Sequence, residues 1–276
     1  MKHSIYLLLL FFCLTACNSS NSKLKTIIAQ SQSAYPEESK DGTTICEGFS
    51  FDDNDNLVIS YTLRENPDIN YVVPKLKDEL VKKSAIVTLK LDVANNANTL
   101  EILELTAKEK KNLVLTYKGN LTHKTKRIAL STKELEEIIH CSANAKTLIR
   151  ESLNVQVEQQ ASRLPLQLSE GLEFSSIKIE ENNIVYDYTM DDALAEKSPI
   201  ATNPSSVKQN LLNEVANTNK TSMLELFRMC IEADYGFLMR FTTAVSKKKY
   251  QISFTPEELQ KNYQQLRATL IEKQTE

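Results

Sequence analysis

Residues 112–135, NLVLTYKGNLTHKTKRIALSTKEL, pair without a gap with residues 236–259, GFLMRFTTAVSKKKYQISFTPEEL. Each stretch reads as an apolar-alternating strand, a basic connection, a return strand and a helix start. The pairing extends backwards at the same offset of 124, with Leu100, Leu103 and Ala107 against Leu224, Phe227 and Ile231. Further upstream, FSFDDNDNLVISYTL (49–63) matches IKIEENNIVYDYTM (177–190) with one residue deleted at an acidic turn. Before those, YPEESKDG places Pro36 and Gly42 six apart, and LPLQLSEG does the same with Pro165 and Gly171. Self-similarity at a fixed spacing marks a repeated structural unit. The chain therefore reads as two tandem repeats, 24–140 and 141–276, each of ordinary domain size.

Within each unit the periodicity predicts a short opening helix (24–31; 145–160), a Pro-led turn, and a hairpin across 52–56 or 180–183, where Asp and Asn suit turn geometry. Leu57, Ile59, Tyr61 and Leu63 share one strand face, as do Ile184, Tyr186, Tyr188 and Met190. Ser60 and Thr62, or Asp187 and Thr189, lie opposite. One apolar face at period two means a sheet covered on one side. A middle segment with a helix near Pro74 or Pro204 follows, although 84–93, SAIVTLKLDV, alternates and leaves helix or strand open there. A second helix (99–110; 222–233) leads to a second hairpin with Leu113, Leu115, Tyr117, Ile128 and Leu130, or Phe237, Met239, Phe241, Ile252 and Phe254, on the core face. Each unit closes with a helix capped by Ser131 or Thr132, or by Thr255 before Pro256 and Glu258. The expected class is α+β: per unit, a roughly four-stranded, mainly antiparallel sheet with helices on one face.

The amino-terminal segment reads MKHSIYLLLLFFCLTAC (1–17). A short basic start precedes ten apolar residues, too few for a membrane span but right for a signal-peptide core. The run ends in Leu14-Thr15-Ala16-Cys17, which resembles the lipobox of bacterial lipoproteins. That resemblance implies cleavage after residue 16, diacylation of Cys17, and a polar tether over 17–23. A plain secretory signal ending in Cys is the alternative. Two or three acyl chains anchor stably where one does not. Asn18 in place of Asp implies sorting to the outer membrane by the enteric pattern. The implied partner is the lipid bilayer, reached through acylated Cys17. The strand–helix order and Tyr-bearing strands of the body also resemble small exported bacterial domains without assigned activity.

Lys and Arg number 33 against 36 Asp and Glu, for a formal charge of −3. This near balance gives no electrostatic reason to expect nucleic acid as a partner. No phosphate-cradling loop, G-x-S-x-G elbow or H-E-x-x-H pair is present. No catalytic residue, metal ligand or cofactor is therefore assigned. Cys46, Cys141 and Cys230 follow the anchor. The repeat alignment sets them against Ser175, Gln265 and Thr106, so thiols are not part of the duplicated design. A Cys46–Cys141 disulfide is open. The acidic turns at Asp52/Asp53 and Glu180/Glu181 read as a weak Ca²⁺ or acid–base site, or as solvated turns.

A second shared feature is basic. Lys124, Lys126 and Arg127, beside His123, match Lys247, Lys248 and Lys249 at the second hairpin. They read either as a surface for anionic lipid or polysaccharide or as solubilising residues that discourage edge pairing. Two functions follow. One is a membrane-anchored envelope lipoprotein that binds or scaffolds an envelope protein or polysaccharide. The other is a carboxylate-dependent hydrolase acting on envelope polysaccharide.

Overall fold

A computed structural model describes residues 23–39, 42–217 and 221–264. Cys17 and the signal segment lie outside the described residues. The first unit opens with helix α1 (23–31). Strands β1 (Glu37–Glu38), β2 (Thr44–Phe51) and β3 (Leu57–Leu63) follow. Helices α2 (Asp78–Asn95) and α3 (Ala97–Lys108) cross over to β4 (Leu113–Gly119) and β5 (Thr125–Leu130), and α4 (Thr132–Ile139) closes the unit. The second unit runs α5 (Ala145–Ala161), β6 (Leu166–Ser169), β7 (Leu172–Glu180), β8 (Asn183–Met190), α6 (Asp192–Lys197), α7 (Pro199–Thr202), α8 (Pro204–Asn217), α9 (Thr221–Ala233), β9 (Gly236–Thr243) and β10 (Lys249–Phe254). It ends in α10 (256–264).

The class is α+β. Each unit holds a five-stranded sheet, ordered β1-β2-β3-β4-β5 and β10-β9-β8-β7-β6. The fifth strand, β1 or β6, is a short edge strand that the periodicity did not resolve. Too few residues alternate in β1 and β6 to carry a signal. Three of the four pairings in each sheet are antiparallel; β3 with β4, and β8 with β9, are parallel. A parallel neighbour needs a long crossover, and the helical middle of each unit supplies it.

The helices of the first unit lie on the predicted core face. Leu24 and Ile28 of α1, Val81, Ala85 and Leu89 of α2, Leu103 of α3, and Leu135 of α4 share one buried cluster with Leu57, Ile59, Leu113 and Leu115. A second cluster joins Leu153, Ile177, Ile184, Phe227, Phe237 and Leu259. Ser131 caps α4 in a full capping box with Glu134. Thr255 and Glu258 exchange the same two bonds at α10. A cap of this kind contributes about 1 kcal/mol.

Residues 84–93 are helical, inside α2. Val81, Ala85 and Leu89 face the first core, whereas Leu91 packs against the second. Val87, one turn before Leu91, is also buried. Helix α2 is thus the partition between the units, and it lies antiparallel to α5. Lys90 pairs with Glu151 at 3.3 Å, Lys83 pairs with Glu158 at 3.2 Å, and Gln159 donates to the Leu80 carbonyl.

The repeat is also exact at irregular positions. Both sheets carry a bulge in the second strand, between Cys46 and Gly48 and between Phe174 and Ser176. Cys46 pairs with Tyr61 as Phe174 pairs with Tyr188. Cys46 therefore matches Phe174 and not Ser175, because one more residue separates Gly42 from Thr44, opposite Leu63, than separates Gly171 from Leu172, opposite Met190. Cys230 and Thr106 do correspond, and both are fully buried.

Candidate functional site

The sequence-selected basic residues lie at the β4–β5 and β9–β10 connections, and the geometry separates them into two groups. Lys126 and Arg127 belong to β5 rather than to the turn. Lys126 donates to the Leu76 carbonyl and to Asp78, and its side chain is largely covered. Arg127 reaches Asp52 at 3.0 Å. Lys126 is thus a covered strut between elements, whereas Arg127 is paired with Asp52 but keeps an exposed side chain. Lys124, Lys247, Lys248 and Lys249 are exposed and form no ion pair with a described residue.

The two turns have the same backbone. Gly119 N–H donates to the Lys124 carbonyl at 2.9 Å, and Thr243 N–H to the Lys248 carbonyl at 3.0 Å. His123 and Lys247 stand at equivalent positions with φ of 55° and 56°. Asn120 N–H donates to the Leu63 carbonyl, and Ala244 N–H to that of Met190.

One carboxylate holds each turn from the side. Glu65 accepts from Leu121 N–H at 3.0 Å, Thr122 N–H at 2.6 Å and the Thr122 hydroxyl at 2.7 Å. It also accepts from Val73 N–H at 2.7 Å. Asp192, which follows β8 as Glu65 follows β3, accepts from Val245 N–H at 2.9 Å and Ser246 N–H at 3.1 Å. Burial acts to raise the Glu65 carboxyl, but bonds from Thr122, Val73 and Leu121 outweigh it and hold it below the usual range. The Ser246 hydroxyl and the Val245 amide lower Asp192 in the same way. Both turns are therefore rigid loops built around a fixed negative charge.

Each clamp turns one aliphatic side chain outward. Leu121 is 55% exposed and Val245 is 84% exposed, at equivalent positions of the two copies. These residues and their clamps were not singled out from the sequence. The signal was present, since the ungapped pairing of 112–135 with 236–259 sets Leu121 against Val245. It was masked because an apolar residue beside a strand reads as core.

The acidic turns are engaged with their own surroundings. Asp52 accepts from Asn54 N–H and Asn56 N–H and binds Arg127. Asp55 pairs with Lys111 at 2.7 Å. Glu180 and Asp187 share Arg240, at 2.8 and 2.7 Å. Lys178 and Arg240 hold Glu180 low. Burial raises Asp187, but Arg240 and Ser176 bring it below the usual range. A carboxyl held ionised by a fixed guanidinium is poorly suited to proton donation. Among the described residues no group of His, Cys, Asp or Glu is arranged to hold a metal ion. Cys46, Cys141 and Cys230 are all free thiols, so the Cys46–Cys141 pair is not formed. Burial pushes the Cys230 thiol up to about 12.

No protein-family model and no curated protein matches the chain. Among solved structures, the chain is similar to a Pseudomonas aeruginosa protein described as a candidate secreted protein. The TM-score is 0.34 and the identity 16%, over 43% of this chain and 99% of that one. No helix among the described residues is long and apolar enough to cross a membrane.

Proposed function

We propose that the chain is a cell-envelope lipoprotein, held to a bilayer through acylated Cys17 and sorted to the outer membrane, whose duplicated body binds or scaffolds rather than catalyses. The anchoring half rests on the Leu14-Thr15-Ala16-Cys17 motif behind its ten-residue apolar run. The binding half rests on one observation, the duplicated clamp. Both copies hold the same exposed turn rigid with a carboxylate, at Glu65 and at Asp192. Side chains fixed before contact lose little freedom on contact, which favours recognition. The engagement of Glu180 and Asp187 by Arg240 supports binding over carboxylate hydrolysis.

The anchoring test is a Cys17→Ser variant expressed from the full chain in a bacterial host. Wild-type protein should carry acyl mass at its amino end and sediment with membranes, and the variant should be soluble or uncleaved. Identical fractionation of the two, with no acyl mass on the wild type, would refute the anchor. For the binding role, in-cell crosslinking from Leu121 and Val245 positions should capture envelope neighbours that Lys133 and Glu104 positions do not.

A further inference from the structure

The geometry points to the two clamped turns as a docking surface for an anionic lipid bilayer, one facing the membrane that would hold Cys17. The proposal rests on the lipoprotein reading for where the body sits, but the surface itself rests on four observations of its own.

The first is charge segregation. The whole chain is net negative, yet neither second hairpin contains a single Asp or Glu. Residues 113–130 carry Lys118, Lys124, Lys126 and Arg127, and residues 236–254 carry Arg240, Lys247, Lys248 and Lys249. Of these, Lys118, Lys124 and Lys247–Lys249 are exposed and form no ion pair with a described residue. Of the acids beside the turns, Glu65 and Asp192 are engaged by turn amides and Asp78 by Lys126, Lys248 also acts on Asp192, and Asp191 stays exposed.

The second is the outward aliphatic residue at each turn, Leu121 and Val245. An exposed aliphatic side chain among lysines is matched by the headgroup–acyl boundary of a charged bilayer, where both are satisfied. A polysaccharide would be met by aromatic faces, and residues 120–124 and 244–248 include no Phe, Tyr or Trp. The other large exposed aliphatics among the described residues, Ile69 and Leu168, lie outside the two turns and stand beside Asp68 and Glu170 rather than among lysines.

The third is common orientation. Parallel β3 and β4 put Leu63 and Gly119 at one end of the first sheet, as β8 and β9 put Met190 and Thr243 at one end of the second. The segment beside Glu65 touches the second unit through Asn70, whose amide reaches the Arg163 carbonyl, and through Tyr71, which lies under the Arg163 guanidinium. Helix α2 begins beside the first turn, at Lys126, and its start pairs with the end of α5, from which β6 runs on to Ser169 beside Leu172 and Met190. The two turn ends therefore face one side, and two weak contacts on one body reinforce each other.

The fourth is the position of the chain start. Helix α1 begins at the opposite end of the first sheet, where Lys25 pairs with Asp55 in the β2–β3 turn. Seven residues of β4 separate that end from Leu121 by about 20 Å. The tips thus lie at the end of the sheet opposite the start of α1.

The test uses full-length protein purified from membranes and reconstituted into phosphatidylcholine donor vesicles. Dye-labelled acceptor vesicles of phosphatidylcholine, with or without phosphatidylglycerol, are then added and bridging is measured by co-flotation. Wild type should bridge to anionic acceptors only, and less at 0.5 M than at about 0.1 M salt. Leu121→Ser/Val245→Ser should weaken bridging roughly tenfold. Lys124→Glu/Lys247→Glu/Lys248→Glu should weaken it on the order of a hundredfold. Circular dichroism and melting of both variants should match wild type, since every changed side chain is exposed. Equal bridging by wild type and variants, or bridging to neutral acceptors, would overturn the proposal; so would tips that bind protein or polysaccharide and no lipid. Protein that fails to stay with the donors reports a failed anchor instead, and direct flotation on anionic vesicles then reads the tips with the same expected losses.

Discussion

The Glu65 carboxylate lies directly over the α-carbon of Gly119. A β-carbon placed there would come within 2.4 Å of the carboxyl atoms. The equivalent positions of the second copy hold Asp192, one methylene shorter, which bonds the Val245 and Ser246 amides, and Thr243, whose hydroxyl bonds Ser246 and accepts from Lys248 N–H.

This pairing predicts an energetic coupling. Gly119→Ala should destabilise the first unit by about 1–3 kcal/mol through overpacking. In a Glu65→Asp background the same change should cost markedly less. A double-mutant cycle by urea denaturation measures the coupling, and additive effects would mean that Glu65 moves aside freely.

Removal of the Glu65 carboxylate should leave the amides of Val73, Leu121 and Thr122 without acceptors. Glu65→Ala should cost roughly 1–3 kcal/mol and should speed hydrogen exchange at Leu121 and Thr122. The acid limb follows from the same contacts. A carboxyl held low in the fold stabilises it above the unfolded value, about 4.3 for Glu, and that contribution is lost as pH falls through the folded value. Wild-type stability should therefore drop below about pH 4, and Glu65→Gln should flatten that drop.

The strand register can be read from two ring pairs. Tyr61 stacks on Tyr117 with centroids 5.2 Å apart, and Tyr188 on Phe241 at 4.8 Å, each across the parallel strands. Tyr61→Ala and Tyr188→Ala should each destabilise by about 3 kcal/mol. Burial pushes Tyr188 up to about 12 and raises Tyr186 further. Ultraviolet titration of the native protein at pH 11 should leave both phenols protonated, and full ionisation there would refute the core placement.

Cys230 lies wholly inside the second core with its thiol raised by burial. Iodoacetamide at pH 8 should alkylate it only on unfolding, so its labelling in urea should track the global transition.

The sequence by itself determined the duplication, the strand faces, both sets of hairpins and the helix caps. Those features are local or periodic: alternation over seven residues marks a strand face, and Thr255-Pro256 with Glu258 marks a helix start whatever lies around it. The helix over 84–93 was not legible for a physical reason. Val81, Ala85 and Leu89 form one ladder toward the first core, while two residues out of phase Val87 is buried outside that cluster and Leu91 packs against the second. Two helical ladders offset by two residues sum to a strand-like alternation, and only the packing of two units on one helix produces them. The site divides the same way. Sequence placed lysines at both second hairpins. Tertiary structure decided which of them stay free, since Asp78 and Asp52 reach Lys126 and Arg127 from far along the chain. It also decided that Glu65 and Asp192 hold the turns, because those contacts close loops of more than fifty residues, a separation that carries no periodic trace.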